Sequence, residues 1–246
     1  MKMKVHILRS GTIHPALRRL PFAERVSLPV WYYLIEHPTQ GLLLVDTGIS
    51  TRPLSAFLTR YYKPEPEGTI TAQLQALGFT PEAVDTVILS DLDFDHTGGL
   101  HELRSAKRFL VSQEDYYWTA RNTFSRYQPR SLWESDICFE TYYLRPAAWA
   151  PFHYALDLFG DESVISVLTR GHTFGNCTTM LQWNGKKLLL AGNTLLSGKS
   201  MENDRVFHHC GQEKSVRWLR ENAAEQDCIG ILATHDPAEQ ERIIEL

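Results

Sequence analysis

One ten-residue segment concentrates side chains that attract a cation. Residues 90–99 read SDLDFDHTGG, so Asp91, Asp93 and Asp95 alternate and His96 follows the third carboxylate. Alternating side chains of an extended chain point to the same side, which brings the three carboxylates together. Two carboxylates about 5 Å apart repel by about 3 kcal/mol at an effective dielectric constant of about 20. We therefore expect a cation, or carboxyl groups with altered pKa values, at this segment.

Three kinds of site contain a loop of this type. The first is an EF-hand, because four acidic residues fall at its positions one, three, five and twelve: Asp91, Asp93, Asp95 and Glu102. However, His96 stands where the calcium loop needs glycine, and a strand precedes the loop. The second is an aspartyl phosphatase, which uses a D-x-D-x-T motif after an apolar strand, but the lysine and paired aspartates it also needs are not evident. The third is a binuclear metal site.

The elements that must position this loop alternate between apolar strands and helices. The patterns predict strands at residues 30–35, 42–45, 87–90, 109–111, 164–168, 178–183, 187–191 and 229–233. They predict helices at residues 52–62, 70–77, 113–122 and 213–222. A single α/β domain over residues 1–246 is the simplest account. The aromatic-rich stretch at about 123–151 is interpreted as an insertion that either caps a pocket or packs at the periphery.

The overall composition is that of a globular protein and excludes several classes. The chain has 246 residues, 43% of them hydrophobic and 22% charged, which suffices for a large core. A net charge of -4 argues against a general nucleic-acid or membrane binder, and the apolar runs are too short to span a bilayer. Four distant cysteines and the lack of a secretory signal predict a cytoplasmic protein. We expect a small-molecule substrate, and the sequence leaves the oligomeric state open.

Several segments together resemble the N-acyl homoserine lactone lactonase branch of the metallo-β-lactamase superfamily, from about residue 28 to the C-terminus. The loop is similar to the superfamily motif H-x-H-x-D-H-x-G-G, with Asp91 and Asp93 in place of two histidines. Three later segments resemble further motifs in the same order: RGHTFGN at 170–176, AGN at 191–193 and THD at 234–236. The resemblance implies an α/β fold, the four-layer αββα metallo-β-lactamase sandwich, with its site at one edge of the sheets.

The resemblance also implies two neighbouring metal positions. Their ligands would be Asp91, Asp93 and His172 at one position, and Asp95, His96 and His235 at the other. Asn193 stands where the family has a bridging aspartate, so a single ion at the second position is the first expectation. We expect one or two divalent ions: zinc is favoured, and manganese or iron suits the oxygen-rich position. An empty site, neutralised by an amine such as Lys199 or Arg205, stays open.

If metal binds, the resemblance implies hydrolysis of a small ester or lactone-type substrate by a metal-activated water. Asp95 would be both a ligand and the residue that orients the water. Phe94 agrees with the lactonase branch and Leu196 replaces its tyrosine, so both positions are expected to face the substrate. The alternative is a non-catalytic protein of the same fold whose degenerate site binds a small ligand or partner. Each replaced ligand still bears an oxygen, which favours a retuned hydrolase.

Overall fold

Short runs of apolar residues build the strands of two sheets. The computed structural model describes residues 1–14, 27–50, 62–121, 137–198 and 211–246. The strands in this part of the chain are β1 Lys4–Ile13, β2 Leu28–His37, β3 Gly41–Val45, β4 Tyr62–Pro64, β5 Val84–Leu89, β6 Arg108–Ser112, β7 Glu140–Tyr142, β8 Arg145–Pro146, β9 Tyr154–Asp157, β10 Val164–Leu168, β11 Cys177–Trp183, β12 Lys186–Leu190, β13 Cys228–Leu232 and β14 Arg242–Glu245. The α-helices are α1 Ile70–Ala76, α2 Phe94–Thr97, α3 Gln113–Arg121 and α4 Gln212–Ala223.

The two sheets combine antiparallel hairpins with parallel strands. The first has the order β14-β1-β2-β3-β5-β6-β7, and β4 pairs with β1. Its strands β3, β5, β6 and β7 are parallel. The second has the order β13-β12-β11-β10-β9-β8, in which β12 and β13 are parallel. Parallel strands end at the same edge of their sheet, so the loops after β3 and β5, and those after β12 and β13, emerge side by side.

Apolar side chains on both faces of each sheet produce four layers. The central cluster joins the sheets through residues such as Tyr33 and Ile88 of the first and Leu181 and Leu190 of the second. On the outer face of the first sheet, Leu74 of α1 packs on β2, β3 and β5. On the outer face of the second sheet, α4 packs on β10, β11 and β12. The predicted four-layer αββα sandwich is therefore confirmed.

The predicted elements differ from the structure in several places, and the strands without a predicted counterpart are β1, β4, β7, β8, β9 and β14. The predicted helix at 52–62 lies outside the described residues except for Tyr62, which instead begins β4. Of the predicted cap at about 123–151, residues 123–136 lie outside the described part. The described remainder includes β7, an edge strand of the first sheet, and β8, an edge strand of the second. This segment is packed against both sheets: Tyr142 is buried in the first sheet, and its hydroxyl lies 2.6 Å from Oγ of Ser166 in the second.

The described residues also bear on membrane-spanning helices and on the cysteines. None of the described helices is both long and apolar enough to cross a membrane. Cys138, Cys177 and Cys228 are free thiols. Burial raises the pKa of the Cys177 thiol to about 12, so this cysteine behaves as a small apolar core residue.

Candidate metal centre

Four strand ends supply the side chains that the sequence singles out. The loop after β5 carries Asp91, Asp93, Asp95 and His96, the loop after β10 carries His172, and the turns after β12 and β13 carry Asn193 and His235. All seven side chains are buried. The structure brings six of them together as two triads, each with its ligand atoms within 4.8 Å of one another. We call Asp95, His96 and His235 the nitrogen-rich triad, and Asp91, Asp93 and His172 the oxygen-rich triad.

The nitrogen-rich triad has its histidines turned so that Nε2 faces Asp95. His235 Nε2 lies 3.0 Å from Asp95 Oδ2, and His96 Nε2 lies 3.7 Å from the same oxygen. On its far side His235 Nδ1 donates to the carbonyl of Pro29 at 2.9 Å. His96 Nδ1 lies 2.8 Å from Asp46 Oδ2. These outer partners hold the Nδ1 protons, so Nε2 is the atom that each ring presents to a metal ion.

The oxygen-rich triad is equally close-packed. His172 Nε2 lies 2.7 Å from Asp93 Oδ2. The backbone N–H of Asp93 donates to Asp91 Oδ1 at 2.8 Å, which folds the two carboxylates onto one side of the loop. Two carboxylates and one imidazole form a harder donor set than the one carboxylate and two imidazoles of the other triad. Such a set makes Mn²⁺ or Fe²⁺ more competitive with Zn²⁺.

Asn193 lies between the triads. Its Nδ2 is 2.7 Å from His96 Nε2, 3.2 Å from His172 Nε2 and 3.4 Å from Asp91 Oδ2. Turning the amide over would place its oxygen at the same point, since the two amide orientations have the same shape. Asn193 therefore reaches both triads but offers a neutral oxygen where an aspartate would offer a charge.

Burial and neighbouring charges act in opposite directions on the pKa values of this centre. Burial raises the pKa of Asp91, although His96 and His172 act against it. Burial would also raise the pKa of Asp95, but His96 and His235 hold it below its usual range. Burial opposes protonation of His96, yet Asp91, Asp46 and Asp95 raise its pKa well above the ordinary value. Among the described residues, the cations that face these carboxylates are histidines; Lys199 and Arg205 lie outside the described part. The donor set and its charge fit a divalent cation, which would replace the histidine proton.

Two outer residues brace the centre. The loop after β3 places Asp46 at the Nδ1 side of the His96 ring. The Asp46 carboxylate also accepts from Ser90 N at 2.9 Å and from Ser90 Oγ at 2.8 Å. Asn176 does not reach the triads; its amide donates to Thr194 Oγ1 at 2.8 Å and to the carbonyl of Thr169 at 3.1 Å. It therefore supports the turn that carries Asn193.

The two residues predicted to face the substrate are Phe94, which is buried, and Leu196, which is half-buried. Phe94 is 2% exposed and packs with Val30 and Ile49, and its ring centroid is 4.6 Å from that of Tyr62. The ring belongs to a core cluster next to the metal loop, and its contact with a substrate stays a prediction. Leu196 is half-buried beside the buried Leu195, and its contact with a substrate stays a prediction.

Sequence reasoning missed Asp115 and Pro29. Asp115 lies in α3 and accepts from Leu92 N at 2.8 Å, inside the metal loop. Burial, and then the charge of Asp91, raise its pKa to about 8. Asp115 comes three residues after the end of β6, in the same sheet as the strand before the metal loop. An acidic residue at this place was the available sequence signal. The Pro29 contact is made by a backbone carbonyl, which no residue type identifies.

We expect Asp46→Asn to weaken zinc binding at the nitrogen-rich triad by about 10- to 100-fold, the usual effect of removing an outer partner of a metal-binding histidine. Asp46 has a φ of 61°, and asparagine tolerates this left-handed conformation. The amide oxygen can still accept from Ser90 N, but the amide nitrogen then faces His96 Nδ1, so the variant loses both the charge beside His96 and the acceptor for its Nδ1 proton. Competition with a chromogenic chelator measures the zinc affinity.

Asp85→Asn is the matched control for this variant. Asp85 lies at the opposite end of β5, where it forms an exposed ion pair with Lys107. Its substitution should leave zinc affinity unchanged. Equal zinc affinities in wild type and Asp46→Asn would show that Asp46 does not orient His96 for metal binding.

The comparisons with known proteins agree with this geometry. Residues 26–226 match the profile of the family described as the metallo-beta-lactamase superfamily. The chain belongs to the metallo-beta-lactamase superfamily. An N-acyl homoserine lactonase from a Bacillus species is 35% identical to it over 236 residues, which cover 89% of this chain and 85% of that protein. This relative places the chain in the lactonase-like branch of the superfamily.

Two solved structures share this architecture. One is a B. thuringiensis AiiA variant with N-decanoyl-L-homoserine bound at its active site, with a TM-score of 0.75, 19% identity and coverage of 95% of this chain and 93% of that one. The other is AidC, a dizinc quorum-quenching lactonase, with a TM-score of 0.66, 16% identity and coverage of 97% and 89%. At these identities the two structures establish the fold.

Proposed function

We propose that this protein is a metal-dependent hydrolase that opens a lactone or a related small ester, with N-acyl homoserine lactones as the first substrates to test. The observation that carries the proposal is the convergence of two buried triads on Asn193, each triad with its ligand atoms within 4.8 Å of one another. The lactonase relative and the homoserine compound bound to the AiiA variant support the substrate class.

The two triads should bind divalent ions with unequal strength. The nitrogen-rich triad has the ligand types of a zinc site and binds the first ion. The oxygen-rich triad binds a second, harder ion such as Mn²⁺ or Fe²⁺. Its binding is weaker because Asn193 brings no charge between the two ions. The dizinc centre of AidC supports two ions in this fold.

Bound divalent ions supply an acidified water and a polarised carbonyl. This chain's residues then orient the reaction. Asp95 lies against both His96 and His235. Because those imidazoles hold its pKa low, Asp95 stays a carboxylate, and its part is to accept a hydrogen bond from the attacking water. Leu196 has no hydroxyl to donate to the substrate carbonyl, which leaves the Asn193 amide as a nearby donor.

The proposal is tested by turnover after metal loading. Protein purified without chelators is loaded with Zn²⁺ and Mn²⁺ and mixed with N-acyl homoserine lactones, simple lactones and aryl esters, and acid release is followed with a pH indicator. We expect turnover that depends on the ion and is lost on chelation. Metal-loaded protein that hydrolyses none of these substrates would favour the alternative of a non-catalytic ligand-binding protein.

Metal binding is expected to tighten as pH rises and to release protons. Asp91, Asp46 and Asp95 hold the pKa of His96 well above its usual value, against the effect of burial. The His96 proton must leave before Nε2 can bind an ion, so the apparent affinity should rise by about tenfold per pH unit for each proton released. Calorimetric titrations with zinc, in buffers of different ionisation enthalpy between about pH 6 and pH 8, count the protons. A buffer-independent binding enthalpy would contradict this prediction.

A further inference from the structure

A buried carboxylate outside both triads joins the two loops that form the oxygen-rich triad. Asp115 is 0% exposed. Its Oδ2 accepts from the backbone N–H of Leu92 at 2.8 Å, and its Oδ1 accepts from the hydroxyl of Thr173. Leu92 lies between the two carboxylates of that triad, and Thr173 directly follows its histidine. One side chain therefore fixes both loops at the residues next to the candidate ligands.

Asp115 is itself held rigidly. Its backbone N–H donates to Ser112 Oγ at 3.1 Å, and the same hydroxyl donates to the carbonyl of Gly175 at 2.8 Å. A Cβ on Gly175 would lie 2.0 Å from Asp115 N, so the loop after β10 packs directly on the backbone of α3. The Asp115 carboxyl group is therefore fixed in place, which suits a side chain that positions two loops.

The contacts of Asp115 do not extend to the nitrogen-rich triad. In that triad the outer partner of His96 is Asp46, and the outer partner of His235 is the Pro29 carbonyl. Each triad therefore has its own supporting contacts. Removing the Asp115 carboxyl should leave two buried donors, Leu92 N–H and Thr173 O–H, without their acceptor, while the contacts of the other triad remain.

We propose that Asp115 is a positioning residue that holds the oxygen-rich triad in its metal-binding geometry and so sets the affinity for the second ion. The inference rests on the proposed function only in taking the two triads as ion sites. Asp115→Asn should preserve the arrangement, because an amide oxygen accepts from Leu92 N–H and an amide nitrogen donates to the Thr173 hydroxyl. Asp115→Ala should lose it.

The test counts ions at each triad. Protein loaded with one equivalent of Zn²⁺ is titrated with Mn²⁺, and the free Mn²⁺ signal is read by electron paramagnetic resonance; zinc affinity is measured separately by chelator competition. We expect Asp115→Ala to weaken Mn²⁺ binding by about 10- to 100-fold and to leave zinc affinity unchanged. Asp115→Asn should bind Mn²⁺ within a few-fold of wild type.

Thr119→Ala is the matched control on the same helix. Thr119 lies one turn beyond Asp115, is buried, and its hydroxyl makes no hydrogen bond among the described residues. The control should bind both ions as wild type does, with thermal denaturation confirming that all variants fold. Unchanged Mn²⁺ binding in Asp115→Ala, equal weakening of both ions, or a wild type that binds only one ion would each overturn the inference. Hydrolysis plays no part in this readout, so two-ion binding without lactone turnover would contradict the proposed function alone.

Discussion

His235→Ala is expected to lower kcat/KM for lactone hydrolysis by about a hundred- to a thousandfold, the scale on which removing one preorganised electrostatic group lowers turnover. His235 Nε2 lies 3.0 Å from Asp95 Oδ2, and its ring is held by the Pro29 carbonyl. Alanine removes one of the three ligands of the triad that binds the first ion. Steady-state rates and zinc content, measured on the same preparation, should fall together.

His153→Asn is the control for this substitution. His153 is exposed, has a φ of 61° that asparagine tolerates, and its Nδ1 lies 3.2 Å from the carbonyl of Ala148. It should retain both zinc and turnover. A His235→Ala protein that keeps its zinc and its rate would remove His235 from the site.

Asn193→Asp is expected to tighten binding of the second ion by about a hundredfold or more. The Asn193 amide lies within 3.4 Å of His96, His172 and Asp91, so an aspartate of the same shape would lie between the two ions. A carboxylate about 4 Å from a unit positive charge gains about 4 kcal/mol at an effective dielectric constant of about 20. Titration with Mn²⁺ after zinc loading measures the gain.

The same substitution should act in the opposite direction on the ion-free protein. It adds a carboxylate to a buried cluster that already contains Asp91, Asp93 and Asp95, with Asp46 beside His96. Like charges raise one another's free energy in a buried site. Ion-free Asn193→Asp should therefore denature at a lower temperature than wild type, and the ion-loaded variant at a higher one.

Asn176→Asp is the control for Asn193→Asp, because it adds the same buried charge at a residue that does not lie between the triads. Asn176 is fully buried near the centre but donates to the Thr169 carbonyl and Thr194 Oγ1 instead of reaching the triads. Its substitution should destabilise the protein without tightening ion binding. An Asn193→Asp protein that also shows no gain in Mn²⁺ affinity would refute the assignment of Asn193 to the bridging place.

Local patterns were sufficient to predict most strands and the metal loop. Asp91, Asp93, Asp95 and His96 are neighbours in the chain, so their spacing alone indicates a shared site. His172 and His235 are far from this loop in sequence, and only their resemblance to family motifs connected them to it. The structure groups them as that resemblance implied.

Contacts that form only on packing escaped prediction. The link from Asp115 to Leu92 exists because β6 pairs with β5, so α3, which follows β6, lies beside the loop after β5. The burial of Phe94 depends on Val30 and Tyr62, which come from other strands. Strand β1 was missed because it is buried on both faces, so apolar residues do not alternate along it: Ile7 and Leu8 are adjacent, and the polar His6 and Ser10 are buried.

The most direct test of a working metal centre is elemental analysis of protein purified without chelators or an affinity tag, alongside Asp95→Ala. Asp95 is the carboxylate between His96 and His235, so its removal should empty the nitrogen-rich triad. We predict near-stoichiometric zinc, manganese or iron in the wild type and a clear fall in the variant. Protein that holds no metal, even after reconstitution with zinc and manganese, would contradict the account.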